Sequence, residues 1–341
     1  MKTITLSPSG QSVPVNEGDT VLMAVERGGY ALPNNCRAGT CGECKVRVLE
    51  GEVDQGFVLD MALPQAERQQ GYRLVCVAKP ISDQIVLEWG AADAAPKLFP
   101  PRVDMPYLVV DRIPRTPRIV ELHLMPLGTP MRFWPGQYVA IKAPSRPNQP
   151  RHYSLARAPR PDGLIVLQIT RVDGGVTSTW LHENVAIGAT LPISGPYGTF
   201  IGDPKAETPV LCLAAGSGQA PILSLADAAL RRGYSSPVTL IFSARTADDI
   251  YGQGLLAYWT LKHRNFKSYV TLTREQRSGL LNGHIPEILP GLFPDLAGYS
   301  VFIAGSPAFS DACVTAVKQL GARDEQLNME KFVDQNLGRH T

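Results

Sequence analysis

Residues 36–44 read CRAGTCGEC and place three cysteines within nine positions, in a chain of 341 residues that has six cysteines in all. A fourth cysteine follows in the segment YRLVCVAKP at residues 72–80. The spacing C-x4-C-x2-C with a distant fourth cysteine is typical of thiolates that bind a 2Fe-2S cluster. Gly39 and Gly42 lie between the cysteines and permit a close approach of the backbone to such a cluster. The predicted iron ligands are Cys36, Cys41, Cys44 and Cys76.

Other uses of these thiols are less compatible with the pattern. Zinc sites usually have paired C-x-x-C knuckles, and a Rieske centre needs two histidine ligands, whereas the chain has no C-x-H motif. A zinc site and unreactive core thiols remain the alternatives for the four cysteines. The other two, Cys212 and Cys313, lie in apolar or helical segments, and we predict that they are buried, unreactive thiols.

The net charge is small, because 33 Lys and Arg oppose 31 Asp and Glu to give a formal charge of +2. This balance offers no electrostatic basis for binding nucleic acid or an anionic membrane surface. The chain begins with strand-like alternation, MKTITLSPSGQSV, and no segment approaches the roughly 18 apolar residues of a membrane span. We therefore expect a cytoplasmic protein with no nucleic-acid or membrane partner.

The sequence pattern changes along the chain, whose length suits two or three domains. Residues 1–92 mix strand-like and helical segments, and the alanine- and proline-rich residues 93–102 are predicted to be a linker. Residues 103–202 contain short strand candidates separated by proline and glycine, typical of an antiparallel barrel or sandwich. Residues 205–341 alternate strands and helices, which indicates an α/β domain with a parallel sheet.

The cysteine loop CRAGTCGEC resembles the cluster loop of the plant-type ferredoxins. That resemblance implies the α+β (β-grasp) ferredoxin fold for residues 1–92. The pattern before the loop is compatible with this fold, because a hairpin-like segment is followed by the apolar-faced TVLMAVER. Asp19 or Thr20 is suited to cap the start of this helix, and Gly28 is suited to end it.

A second resemblance rests on motifs in a fixed order: PGQYVAI, then RHYSLA at residues 151–156, then GGVTSTWL and GPYGTF. The series resembles the flavin domain of the ferredoxin-NADP reductase family, which implies an antiparallel β-barrel that binds FAD. The resemblance implies that Arg151 binds the flavin pyrophosphate, Tyr153 packs on the flavin, and Ser154 lies near its reactive N5. Gly175 and Ser178 match the second phosphate contact, as suits a helix start.

The segment LAAGSGQAPILS, between a predicted strand and a predicted helix, resembles the nicotinamide pyrophosphate loop of the same family. The later IAGSPAF matches the family turn that borders the nicotinamide, with Ala304 where many relatives have cysteine. Phe332 stands where the family often has an aromatic residue over the flavin, although a core phenylalanine is the alternative. The residues implied in nicotinamide binding here are Gly216, Gly218, Pro221, Gly305 and Pro307.

The preferred nicotinamide cofactor depends on two conflicting features. Arg245 is followed by Asp248 and Asp249, whose charges disfavour an added 2'-phosphate. Arg274, in contrast, stands where NADP-binding relatives often have arginine, and its fork of donors suits phosphate. We expect NADH, because most relatives with this domain order use it, and NADPH remains the alternative.

The combined order of domains resembles the reductase components of bacterial multicomponent oxygenases. This resemblance implies electron flow from NAD(P)H through FAD to the cluster and then, one electron at a time, to a Rieske-type or diiron oxygenase or an intermediate ferredoxin. The expected catalytic residues are Ser154 and Phe332. Two alternatives are the reductase partner of a sugar-deoxygenating dehydratase and a non-catalytic redox sensor that carries the same flavin and cluster.

Overall fold

The computed structural model describes residues 1–203 and 205–332, whose backbone forms three large sheets and one two-stranded ribbon. One unit contains residues 1–101 together with 196–199, and a second contains residues 102–195 and 200–332. The predicted boundaries at residues 92, 102 and 202 subdivide the chain further and stay predictions. Residues 333–341, the end of the predicted domain 205–341, lie outside the described residues.

The first unit is built on a mixed five-stranded sheet with the order β2-β1-β7-β3-β5. Strand β1 runs parallel to β7, and the other pairs are antiparallel. Helix α1 packs Val21, Leu22 and Val25 into the core of this sheet, which is the β-grasp arrangement expected. The elements are β1 (Thr3–Ser7), β2 (Gln11–Pro14), α1 (Val21–Arg27), β3 (Lys45–Glu50), β4 (Val53–Asp54), α2 (Gln65–Gln69), β5 (Tyr72–Leu74), β6 (Lys79–Pro80) and β7 (Gln84–Glu88).

Helix α1 begins and ends where its sequence predicts. Thr20 is the N-cap, and its side-chain oxygen accepts a hydrogen bond from the Met23 amide at 3.3 Å. Gly28 follows the last helical residue. Asp19 has a different role, because its carboxylate accepts from the Asn16 amide at 2.7 Å and pairs with Arg27 at 2.6 Å. Between them, Thr20 and Asp19 fix the entry of the chain into the helix.

The first part of the second unit is an antiparallel six-stranded sheet with the order β11-β10-β13-β8-β9-β12. A bridge between Leu155 and Leu167 joins its two edges, so the sheet closes into the barrel that was predicted. Apolar side chains from alternate positions fill its interior. The elements are β8 (Arg102–Thr116), β9 (Ile119–Pro126), β10 (Tyr138–Ile141), β11 (Arg151–Ser154), β12 (Ile165–Thr170), α3 (Val176–Glu183) and β13 (Thr190–Tyr197).

The second part of this unit is a six-stranded parallel sheet, as predicted, with the order β17-β16-β15-β14-β18-β19. The strand order reverses between β14 and β18, and ligands of such sheets bind at the carboxyl ends of the strands at that point. The elements are β14 (Val210–Ala215), α4 (Gln219–Arg231), β15 (Val238–Ala244), α5 (Gln253–Lys262), β16 (Phe266–Leu272), β17 (Leu281–Asn282), α6 (Ile285–Leu292), β18 (Ser300–Gly305), α7 (Pro307–Gln319) and β19 (Leu327–Lys331).

Three of these elements, α6, β17 and β19, were not predicted. Helix α6 has the sequence IPEILPGL, and its proline and glycine resemble loop punctuation. It forms because Glu287 accepts a hydrogen bond from the His284 amide at 3.0 Å, while Ile285 and Leu289 are buried. Strand β19 is polar, LNMEK, and is held at the sheet edge by parallel pairing with β18. Among the described residues, no helix has both the length and the apolar character needed to cross a membrane.

The barrel and the parallel sheet are tied together by polar contacts from helix α4. The buried Asp227 carboxylate accepts a hydrogen bond from the Ala158 amide at 3.2 Å, and the Ser224 hydroxyl donates to the Arg157 carbonyl at 2.9 Å. The Arg157 carbonyl and the Ala158 amide belong to the segment that follows strand β11. The end of β11 is therefore held against the parallel sheet.

Gly136 lies so close to the backbone of Phe200 that a side chain would not fit there. We expect Gly136→Ala to lower the free energy of unfolding by about 2 kcal/mol more than Gly188→Ala does. Both glycines have left-handed φ values, +92° and +90°, so both substitutions carry the same conformational cost. Only at Gly136 would the added methyl also overlap a carbonyl oxygen, that of Phe200, while nothing lies near it at Gly188. Chemical denaturation of the two variants measures the difference, and equal stabilities would contradict this account.

Candidate functional site

The four predicted iron ligands come together as one group of sulfur atoms. Cys36, Cys41 and Cys44 lie in the loop between α1 and β3, and Cys76 follows β5. The Cys36 thiol is hydrogen-bonded to Cys41 and to Cys76, and Cys44 is hydrogen-bonded to Cys76. Three of these cysteines are buried, and Cys41 is half-buried. The loop therefore presents four converging sulfurs, as a 2Fe-2S cluster requires.

Two backbone amide groups are directed at one of these sulfurs. The amides of Ala38 and Thr40 donate to the Cys36 sulfur, at 3.4 and 3.5 Å. Amide groups directed at sulfur are the donors that stabilise the negative charge of a ligated cluster. The residues present thus fit this group.

The backbone of the cysteine loop depends on glycine at two places. Gly39 has φ of +72°, and a Cβ atom there would lie 2.6 Å from the carbonyl oxygen of Phe57. Gly42 has φ of +80°, and its Cβ would lie 3.3 Å from the carbonyl oxygen of Ala62. The Leu59 amide also donates to the Gly39 carbonyl at 3.2 Å. Residues 57–62 therefore run along the loop, and we call them the flanking strip.

A buried ion pair fastens the other side of the loop. Arg37 follows Cys36 in the loop and has a left-handed φ of +54°. Its guanidinium donates to the Glu26 carboxylate at 2.6 Å. Glu26 belongs to α1 and is almost fully buried, and Asn34 donates to the same oxygen at 3.3 Å. A charged pair held in this way fixes loop geometry at a sterically unfavourable residue.

The residues of the flavin motif lie on strand β11, which pairs with β10 in antiparallel register. Tyr153 packs against the barrel core, and burial raises the pKa of its hydroxyl above the usual range. Arg151, at the start of the strand, is half-buried. Ser154, at the end of the strand, is buried. Side chains alternate along β11, so Arg151 and Tyr153 lie on one face of the strand and Ser154 lies on the other.

Gly175 and Ser178 lie at the start of helix α3. Gly175 is the N-cap. The Ser178 hydroxyl accepts a hydrogen bond from the Val172 amide at 3.1 Å and donates to the Gly175 carbonyl at 3.2 Å, so it also holds the preceding turn against the helix. The first amide groups of an α-helix have no partner within the helix and favour anions.

The predicted nicotinamide residues meet at the point where the strand order of the parallel sheet reverses. Gly216 and Gly218 form a short 3₁₀ turn after β14, and a methyl at Gly218 would overlap the carbonyl group of Ala304 on β18. A Cβ at Gly305 would lie 2.6 Å from the ring of Phe309. The two loops are thus packed backbone to backbone. Pro221 is buried in the first turn of α4, and Pro307 begins α7.

Three further predicted residues are placed as follows. The Phe332 amide donates to the Gly305 carbonyl at 2.8 Å, so this half-buried residue lies beside the end of β18. Arg245 and Arg274 are exposed at the carboxyl ends of β15 and β16, and the Arg274 amide donates to the Arg245 carbonyl at 2.9 Å. Strand β14 separates these two arginines from β18, so the structure does not bring them to Ser154.

Glu330 is a functional candidate that sequence reasoning missed. It lies on β19 opposite Ala304 of β18, is only 6% exposed, and accepts a hydrogen bond from the Ser154 hydroxyl at 3.2 Å. Burial raises the pKa of its carboxyl to about 8. The carboxyl group therefore keeps its proton at neutral pH. The available signal was a single acidic residue in a short strand, two positions before Phe332.

This arrangement fits a bound FAD and a nicotinamide cofactor. Arg151 and the amide groups at the start of α3 are donors suited to a pyrophosphate. The Gly216 turn leaves backbone open for a second phosphate group, since nothing lies within 4 Å of a Cβ placed there. The buried Ser154 and Glu330 add a hydroxyl and a carboxyl at the seam between barrel and sheet.

Three models of protein families match successive parts of the chain. The 2Fe-2S iron-sulfur cluster binding domain matches residues 4–80, the oxidoreductase FAD-binding domain matches residues 110–201, and the oxidoreductase NAD-binding domain matches residues 212–315. Their order is the order deduced from the sequence motifs.

Whole-chain similarities point in the same direction. The reductase subunit of an aromatic O-demethylase from Amycolatopsis sp. is 35% identical over 97% of this chain and 98% of its own length. The reductase component of phenol 2-monooxygenase from Pseudomonas sp. is 32% identical over 96% of this chain and 94% of its own. The crystal structure of the Amycolatopsis cytochrome P450 reductase GcoB superposes with a TM-score of 0.90 and 31% identity, covering 98% of this chain and 99% of that one.

Because Glu330 is buried and protonated, we expect its contribution to stability to depend on pH. The folded protein holds this proton up to about pH 8, whereas the unfolded chain releases it near pH 4.5. The folded state binds more protons in this window, so stability falls as the pH rises through it. Glu330→Gln removes this titration. The stability of the variant relative to the original chain should therefore rise between pH 5 and pH 8, by more than about 2 kcal/mol. Urea unfolding across this range measures the gain.

The matched control is Glu325→Gln, which neutralises an exposed carboxylate paired with Arg323 in the same part of the chain. Its stability difference should be nearly constant with pH. If Glu330→Gln gives an equally flat difference, the carboxyl of Glu330 is not protonated in the folded protein.

Proposed function

The chain belongs to the family of oxygenase reductase components that join a 2Fe-2S domain to FAD-binding and NAD-binding oxidoreductase domains, and from this membership we propose that it uses NADH to supply single electrons to a monooxygenase. FAD accepts a two-electron hydride and releases electrons singly, and the cluster carries them onward. The protein binds these groups, orients them and excludes water from them.

The observation that carries the proposal is the hydrogen bond between Ser154 and Glu330. It joins Ser154 of the flavin motif, the last residue of β11, to the edge strand next to β18, whose end bears Gly305. A buried hydroxyl and a protonated carboxyl can hold a proton at this seam without exposing it to solvent. Groups of this kind can exchange a proton with a hydride acceptor, whose protonation changes when it gains or loses hydride.

The glycine turns supply orientation on the nicotinamide side. Gly218 packs against Ala304 so closely that the two loops at the ends of β14 and β18 are held at one separation. The N-cap Ser306 accepts from the Phe309 amide at 3.4 Å and fixes the start of α7. A nicotinamide ring between these loops and Ser154 would have little freedom, which is how positioning accelerates a transfer reaction.

Contacts at the ends of β15 and β16 support NADH as the preferred cofactor. The Arg245 guanidinium pairs with Asp249 at 3.3 Å, and the Glu275 carboxylate accepts a hydrogen bond from the Ala247 amide at 2.9 Å. Arg245 is therefore already neutralised by a carboxylate, and a second carboxylate lies nearby. A 2'-phosphate beside these carboxylates would meet like charge, which opposes its attraction to the neighbouring Arg274.

The choice of a monooxygenase rests on the relatives. The two relatives described above are reductases of an aromatic O-demethylase and of phenol 2-monooxygenase. A naphthalene 1,2-dioxygenase reductase component from Pseudomonas putida is more distant, at 28% identity. The similarity to a cytochrome P450 reductase adds a haem oxygenase to the Rieske-type and diiron partners considered from the sequence. We place the protein in the cytoplasm, where its cysteines would stay reduced.

Two substitutions should divide the electron path into its two halves. Cys41→Ser removes one cluster ligand and should abolish reduction of a haem protein acceptor, while NADH still bleaches the flavin absorbance. Ser154→Ala should slow that bleaching by about 10-fold or more, as expected for loss of a group at the reacting centre, while FAD stays bound. Anaerobic stopped-flow absorbance with NADH measures both. Unchanged acceptor reduction in Cys41→Ser would contradict the path, and so would unchanged bleaching in Ser154→Ala.

The cofactor preference has its own test. We expect kcat/KM for NADH to exceed that for NADPH by about 10-fold or more, since a like charge near the 2'-phosphate costs at least about 1.4 kcal/mol. Asp249→Asn with Glu275→Gln should reduce this ratio mainly by improving NADPH, because Arg245 is then released from its carboxylate. Ferricyanide reduction with each nucleotide measures the ratio. A ratio unaffected by the double substitution would place the discrimination elsewhere.

A further inference from the structure

The flanking strip, residues 57–62, exposes large apolar side chains beside the cysteine loop. Phe57 is 61% exposed and Met61 is 86% exposed. The strip is held to the loop at both ends, through Phe57 and Leu59 at Gly39 and through Ala62 at Gly42. The two exposed side chains therefore border the part of the loop that carries Cys41. Exposed apolar residues that are grouped in this way often mark a surface for another protein.

We propose that Phe57 and Met61 are the docking surface for the electron-accepting protein, and that this protein presents an apolar patch ringed by basic residues. The inference rests on the proposed function, because it assumes that electrons leave through the cluster. It adds the residues that bind the acceptor and the chemistry of the face they bind. Aromatic residues and methionine are enriched at the centres of such interfaces.

The charges around the strip indicate a basic partner. Residues 1–101 contain nine Lys and Arg and twelve Asp and Glu. Three cations in or close to these segments along the chain are each paired with a carboxylate: Arg37 with Glu26, Lys45 with Glu67, and Arg68 with Asp60 of the strip itself.

Glu43 lies inside the cysteine loop next to Cys44. Its side chain is exposed and forms no ion pair within the ranges that the structure describes. A ligated cluster with four thiolates adds further negative charge at this place. Glu43 and a ligated cluster would therefore give the loop beside Phe57 and Met61 a negative charge, and complementary charge on a partner would steer its approach.

The same charges disfavour a second copy of this chain as the occupant. In a symmetric pair, the strip of one copy would meet the strip of the other, and Glu43 and the cluster of both copies would be brought together. Like charges opposed across an interface are destabilising. A partner with basic residues around an apolar centre removes this repulsion and also covers the two apolar side chains.

The test uses the holoprotein with cytochrome c, a basic haem protein, as the acceptor. Phe57→Ser with Met61→Ser should raise the KM for cytochrome c about fivefold or more, as loss of central apolar contacts does, with NADH-driven ferricyanide reduction unchanged. Glu43→Gln should weaken the dependence of the cytochrome c rate on ionic strength. The matched control is Leu49→Ser, which removes an apolar side chain that is 43% exposed and lies five residues along β3 from Cys44, about 16 Å away.

The outcomes are distinct. If the double variant and Leu49→Ser have equal KM values for cytochrome c, the docking surface is not the strip. If NADH fails to reduce ferricyanide even in the original chain, the proposed function fails, and calorimetric titration of the oxidised proteins still decides the surface. Binding of cytochrome c that is weakened only in the strip variant supports the proposal. Self-association lost in that variant would assign the strip to a second copy and overturn it.

Discussion

One buried hydrogen bond in the second unit, between the Ser154 hydroxyl and the Glu330 carboxyl, joins the barrel to the edge strand of the parallel sheet. A carboxyl group in this position would be costly if ionised, because no cation among the described residues pairs with it. It is tolerated as the neutral acid, and a neutral acid can accept from a hydroxyl and still retain a proton. Strand β19 places this group, since its pairing with β18 sets Glu330 opposite Ala304. The edge strand thus contacts the barrel through Glu330, and the Phe332 amide that follows it contacts the Gly305 carbonyl at 2.8 Å.

The first unit meets a different constraint, which is to assemble four sulfurs from two distant segments. Amides of Ala38 and Thr40 donate to the Cys36 sulfur, and glycine is required where the loop passes the flanking strip. The Arg37 to Glu26 pair then fixes the loop to helix α1. Local backbone geometry is unfavourable at Arg37, and the surrounding contacts hold it in place.

Much of the architecture could be predicted from the sequence, because each domain has a distinct spacing of apolar residues, proline and glycine. The α+β module, the antiparallel barrel and the parallel sheet are confirmed. The assignment of individual residues to cofactor contacts stays a prediction. Glu330 was missed because a lone acidic residue in a polar segment has no periodic signal, and its burial arises only when β19 pairs with β18. Helix α6 was missed for a related reason, since Pro290 and Gly291 disguise a segment that is stabilised by Glu287 and by burial of Ile285.

The division of the chain into units has a consequence for how such proteins diversify. Residues 196–199 are continuous with strand β13 but fold with residues 1–101. A recombination event that exchanged only residues 1–101 would leave those four residues beside side chains that come from another protein. A graft that carried residues 196–199 along with residues 1–101 would keep both segments of this unit from one source.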